Sequence, residues 1–78
     1  MRLPRGASAD RLIRTLERLG YVAIRQRGSH IRLRHEGPPA HSITVPMRNP
    51  IKTGTLHDIL SEVAWMRSTT IESIMEEL

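Results

Sequence analysis

The sequence predicts an α+β fold of element order α-β-β-β-α: a three-stranded antiparallel sheet with helices on one face and a short C-terminal helix after them. Three observations predict it. Apolar residues recur at helical spacing before Gly20 and again after Gly54. Alternating runs fill the stretch between, and a Gly-Ser pair separates the first two of them. A sheet with one apolar face must bury that face, and the two amphipathic helices supply the cover.

In residues 8–19, Leu12, Ile13, Leu16 and Leu19 fall on one side of a helix, Ser8 is placed to cap its start, and Gly20 suits the left-handed residue after its end. Arg11, Arg14 and Arg18 take the other side. Arg14 and Arg18 at i,i+4 repel by roughly a few tenths of a kcal/mol, which Glu17 partly offsets.

Residues 21–27 read as a strand, Gly28-Ser29 as a turn, and residues 30–34 as a second strand of strict alternation. Ile31 and Leu33 then point to the core. His30, Arg32 and Arg34 share the opposite face with Arg25 and Arg27. Residues 36–40 form a loop, and residues 42–45 a third strand stopped by Pro46. Residues 47–52 are irregular. Gly54-Thr55 opens the second helix, with Thr55 as N-cap, Asp58 as its N3 acid, and Leu56, Ile59, Leu60 and Val63 as the buried stripe; it ends near Trp65 or Met66. Thr69 and Glu72 have capping-box spacing, so residues 70–78 form a final helix with Ile71, Ile74, Met75 and Leu78 on one face.

A chain of 78 residues is one domain, 1–78, near the lower size limit for a single core. The absence of cysteine excludes disulfides and a thiolate nucleophile, and the His and carboxylate spacing gives no metal signature, so no metal or cofactor is expected. No apolar run approaches the roughly 20 residues that span a bilayer, and residues 1–6 lack the apolar stretch of a leader, which places the chain in the cytoplasm. Charge is uneven. Residues 1–35 hold nine arginines against Asp10 and Glu17, and residues 36–78 hold three basic and six acidic side chains, so the parts carry +7 and −3 within a net +4. Guanidinium groups match phosphate in a planar two-point geometry, which suits a nucleic-acid partner, although composition alone allows genome bias or thermal adaptation equally well.

Leu19-Gly20-Tyr21, Arg27-Gly28-Ser29-His30, and Gly54-Thr55-Leu56 following Lys52 occur in an order and spacing that resemble the HicA, or YcfA-like, family. The resemblance implies a double-stranded-RNA-binding-domain-like fold. It also implies the toxin of a type II toxin-antitoxin system, a metal-independent endoribonuclease that cleaves mRNA and is neutralised by a HicB-like antitoxin. The family's catalytic histidine, in its Gly-Ser-His motif, falls on His30. A Pro-x-His arrangement often follows the third strand in the family; here the run is Pro46-Met47-Arg48-Asn49-Pro50, so the resemblance names no second catalytic group.

The chemistry fits those residue types. RNA carries its own nucleophile, so cleavage needs a base at the 2′-hydroxyl, positive charge at the phosphate and an acid at the leaving oxygen. A histidine, with an ordinary pKa of about 6.5, can take a proton near neutrality. Arg25, Arg27, Ser29, Arg32 and Arg34 around the turn, with Arg48 and Lys52 from the later loop, are the expected RNA-binding residues. The bland reading makes Gly28-Ser29 a plain hairpin turn, His30 a solvated strand residue, and Arg48 and Lys52 solvated loop charges. His41 either approaches His30 as the acid or lies exposed at the sheet edge, while His35 and His57 are bystanders. Gly54 and Thr55 cap the helix rather than bind phosphate, and Trp65 and Met66 belong to the core rather than to an antitoxin interface. Two other functions use the same residues: a non-catalytic double-stranded-RNA-binding module that needs the arginines but not His30, and a degenerate toxin that acts only through complex formation. The basic face calls for an acidic protein partner.

Overall fold

A computed structural model describes Leu3 and residues 6–78, and shows the elements in the expected order: α1 (Ala9–Arg18), β1 (Val22–Arg27), β2 (His30–His35), β3 (His41–Pro46), α2 (Thr53–Met66) and α3 (Ile71–Glu77). Helix α1 starts where the Ser8 hydroxyl accepts a hydrogen bond from the Arg11 backbone N–H, at 3.1 Å. Its Leu12 and Leu16 are fully buried and Ile13 and Leu19 pack against the same core.

The strands form one antiparallel sheet in the order β1-β2-β3. On the inner face, Leu33, Ile43 and Val45 meet Leu12 and Leu16 of α1, Leu56, Leu60 and Val63 of α2, and Ile74 of α3 in one buried cluster. Both long helices lie against β3. Strand β1 stands outside that cover and is exposed at all six positions, with Val22 62% and Ile24 52% accessible. The register shifts between Ala23 and Arg25, which leaves Ile24 without a partner on β2.

Two caps differ from the expected ones. Helix α2 begins at Thr53, with Lys52 at the cap position and no side-chain cap bond, so Thr55 lies inside the first turn, half-buried. The preceding loop decides this. Ile51 is buried and its N–H donates to the Ala7 carbonyl at 2.9 Å, so the chain is free to coil from Lys52 onward. Helix α3 is capped by the hydroxyl of Thr70, which accepts from the Ser73 N–H at 3.1 Å, and not by Thr69. The Thr69 N–H is already committed to the Ala64 carbonyl, closing the end of α2, and Ser68 adopts φ +53° to let it do so. At its far end α3 is held by α1. The single Thr15 hydroxyl hydrogen lies between the carbonyls of Arg11 (3.1 Å) and Glu77 (3.2 Å), Arg11 Nε donates to the Leu78 carbonyl (2.7 Å), and the Arg18 guanidinium donates to the Glu77 carbonyl.

A buried polar cluster ties the α1–β1 connection to the β2–β3 loop. His41 and His35 are paired across β2 and β3 on the inner face, with Tyr21 edge-on to both rings. The Pro39 carbonyl, 2.7 Å from His41 Nδ1, can only accept, so Nδ1 carries the hydrogen and Nε2 accepts from the Tyr21 hydroxyl at 2.6 Å. His35 Nδ1 accepts from the Gly37 N–H at 2.8 Å. Burial pushes the Tyr21 hydroxyl up to about 12, against a smaller opposing pull from Arg67. Burial also lowers the His35 pKa below its ordinary value, with Arg67 adding to the effect.

Candidate nucleic-acid interface

The outer face is set by the strand register. His30 lies opposite Arg27 on β1 and Pro46 on β3, Arg32 opposite Arg25 and Thr44, and Arg34 opposite Val22 and Ser42. The β1–β2 turn has two residues, and Gly28 takes φ +57°, the left-handed conformation such hairpins need at their first position. His30 therefore begins β2 at the rim of the sheet, exposed.

Backbone bonds bring the later loop to it. The Met47 N–H donates to the Ser29 carbonyl at 2.6 Å, the Ala9 N–H donates to the Arg48 carbonyl at 3.2 Å, and Ile51 is anchored to Ala7. The loop is thereby fastened to the hairpin turn at one end and to the start of α1 at the other. The result is a groove of about 350 Å³ between the sheet rim and the start of α2, in which His30, Thr44, Arg48, Lys52 and Thr55 stand over Pro46 and Ile51. Ser29 takes part through its carbonyl, and its side chain is exposed.

The charges on this face are mostly uncompensated. Arg34 Nε is 2.8 Å from Glu36 Oε1, which is the single arginine–carboxylate pair within bonding distance among the described residues. Arg25 and Arg32 face one another across the ladder, an arrangement that costs stability when nothing relieves it. Arg32 Nη1 donates to Thr44 Oγ1 at 3.2 Å, which steers that guanidinium toward the groove.

Thr44 is a groove residue that the sequence does not single out. Its outward position follows from alternation with Ile43 and Val45, but its contact with Arg32 depends on the β2–β3 register, which no short turn sets. His41 corrects the sequence reading in both its forms. It is neither near His30 nor exposed, because it sits on the inner face, 8% accessible, bonded to Tyr21. His35 is likewise inner, and His57 is exposed in α2. Trp65, which its apolarity places in the core, is instead 84% accessible, since the stripe of α2 closes at Val63 and Ala64 and the next position turns to solvent. No helix among the described residues is long and apolar enough to cross a membrane.

These features define a class: small α+β proteins with helices on one side of a three-stranded sheet and a cationic open surface on the other. Within it, the chain belongs to the family described as HicA toxin of bacterial toxin-antitoxin, whose model matches residues 9–65, from the first residue of α1 to the penultimate residue of α2. That family supplies one member of a toxin-antitoxin pair, generally an RNA-cleaving toxin. Searches of the curated proteins and of the solved structures return no significant match.

Proposed function

We propose that this chain, as a single HicA-like domain over residues 1–78, is the toxin of a type II toxin-antitoxin pair, cleaving messenger RNA in the cytoplasm without a metal ion, with His30 as the catalytic residue. The observation that supports this reading is the groove that brings His30 together with Arg48 and Lys52. His30 takes the proton of a 2′-hydroxyl, the freed oxygen attacks the adjacent phosphorus, and the bond to the 5′-oxygen breaks. The products are a 2′,3′-cyclic phosphate and a 5′-hydroxyl, the latter taking its proton from solvent. Arg48 and Lys52 bind the non-bridging oxygens as negative charge builds on them, Arg25, Arg27, Ser29 and Arg32 hold the flanking backbone, and Arg34, its charge offset by Glu36, borders the contact without adding a phosphate pair. The antitoxin is a HicB-like protein with an acidic surface that covers this face.

The test is cleavage of a defined mRNA by the purified protein in EDTA, beside His30→Ala. Wild type cleaves, and the variant loses at least about 100-fold in rate, the low end for a general base, with an unchanged far-UV spectrum. Full activity of a folded His30→Ala protein removes the catalytic assignment. Tight duplex binding without cleavage by wild type points instead to a non-catalytic RNA-binding module.

A further inference from the structure

We infer that the RNA strand crosses the sheet transverse to the β-strands, held through its phosphates on both sides of His30 and without selection of base. This rests on the reading of the outer face as an RNA site and extends it to how the substrate is read. The transverse row through His30 runs from Arg27 on β1, through His30 on β2, to the groove beside Pro46 on β3 where Arg48 and Lys52 stand. Neighbouring strands are about 4.8 Å apart, so cations flank His30 within the span of adjacent phosphates of an extended strand. The next row repeats the pattern with Arg25 and Arg32, the latter steered by Thr44. One row further, Arg34 is engaged by Glu36, which marks the end of the free positive charge.

Sequence-tolerant and sequence-selective single-strand sites alike commonly stack bases on aromatic rings. This chain has no Phe, its one Tyr is buried on the inner face, and its one Trp lies on α2 beside Ser61, Ser68 and Ile71, on the helical side. Beside the imidazole of His30, the outer face thus offers guanidinium and ammonium groups to the backbone and, among the described residues, no other aromatic ring to a base. Affinity is carried by phosphate contacts, and every strand of equal length presents the same ones.

The experiment measures binding of the full chain to three 12-nucleotide 2′-O-methyl RNAs, which lack the attacking hydroxyl: all-U, all-C and a mixed sequence, across a range of KCl. The three dissociation constants agree within about threefold. The five cations Arg25, Arg27, Arg32, Arg48 and Lys52 give a slope of log K against log salt near −3.5, at about −0.7 per contact. Arg25→Gln makes the slope shallower by about 0.7 on each strand. A preference above about tenfold for one strand, or a slope shallower than about −1.5, overturns the inference while leaving an RNA site in place. Failure to bind any of the three overturns the RNA reading of this face itself.

Discussion

Gly20 carries two constraints at one position. Its φ of +101° is disfavoured for any side chain, and a Cβ there would stand 2.9 Å from His35 Nε2 in the buried cluster. Gly20→Ala is expected to lower stability by about 1–3 kcal/mol in urea denaturation, the range for a non-glycine residue forced into a left-handed well. The same scale shows which residues were legible. Leu33 is legible as core from alternation alone, and it is fully buried. His41 is not, because alternation is read from apolar residues, and a histidine whose two nitrogens are satisfied inside the protein looks in sequence like a solvated one. Trp65 failed for the opposite reason. Its apolarity suggested burial, but one step around a helix from Ala64 carries it out of the stripe.

At the scale of elements, the cluster of Tyr21, His35 and His41 acts as a fastener between the end of α1 and the β2–β3 loop, and its titration should appear in the stability. An unfolded histidine titrates near 6.5 and His35 in the fold titrates lower, so between those values the unfolded chain binds more protons. Stability is therefore full above about 6.5 and falls as pH drops through that window. Urea midpoints at pH 7.5 and 5.5 measure the loss, and His35→Gln should flatten it. Protonation also forces a hydrogen onto the nitrogen that accepts from Gly37, which gives the loss a local cause. Caps are testable in the same way. Thr70→Ala should cost about 1 kcal/mol of global stability, whereas Thr69→Ala, which removes no cap bond, should cost much less. The existence and order of the helices were legible from periodicity. Their starting residues were not, because Lys52 and Thr70 became caps through backbone bonds made by Ile51 and Thr69 to distant or preceding segments.

For the whole molecule, the sheet divides two chemistries. Its inner face is closed by α1, α2 and α3 around one core, and its outer face is left to arginines and His30. The uneven charge along the sequence foreshadowed this division, because the basic part contributes α1, β1 and β2 and the acidic part contributes α2 and α3. What the sequence did not fix was the meeting of Arg48 and Lys52 with His30, which depends on the Met47–Ser29 bond between segments far apart in the chain. The face is strained by its own charge: Arg25 opposes Arg32, with no carboxylate among the described residues paired to either. Occupation by a polyanion relieves that repulsion, so short heparin fragments should raise the thermal midpoint of the free protein in a concentration-dependent way, measured by differential scanning fluorimetry at low ionic strength.

The bare flank of β1 has a further consequence, for solubility in the test tube. Among the described residues this strand pairs on one side only, and it carries Val22 and Ile24 in the open beside Arg25 and Arg27. An exposed apolar edge invites strand-on-strand growth between molecules, and arginine there works as a gatekeeper through mutual repulsion. The double replacement Arg25→Gln with Arg27→Gln should therefore scatter light at concentrations where wild type stays clear. Raising salt to strip nucleic acid during purification weakens the same repulsion, so turbidity should rise with ionic strength, and Ile24→Lys should suppress it.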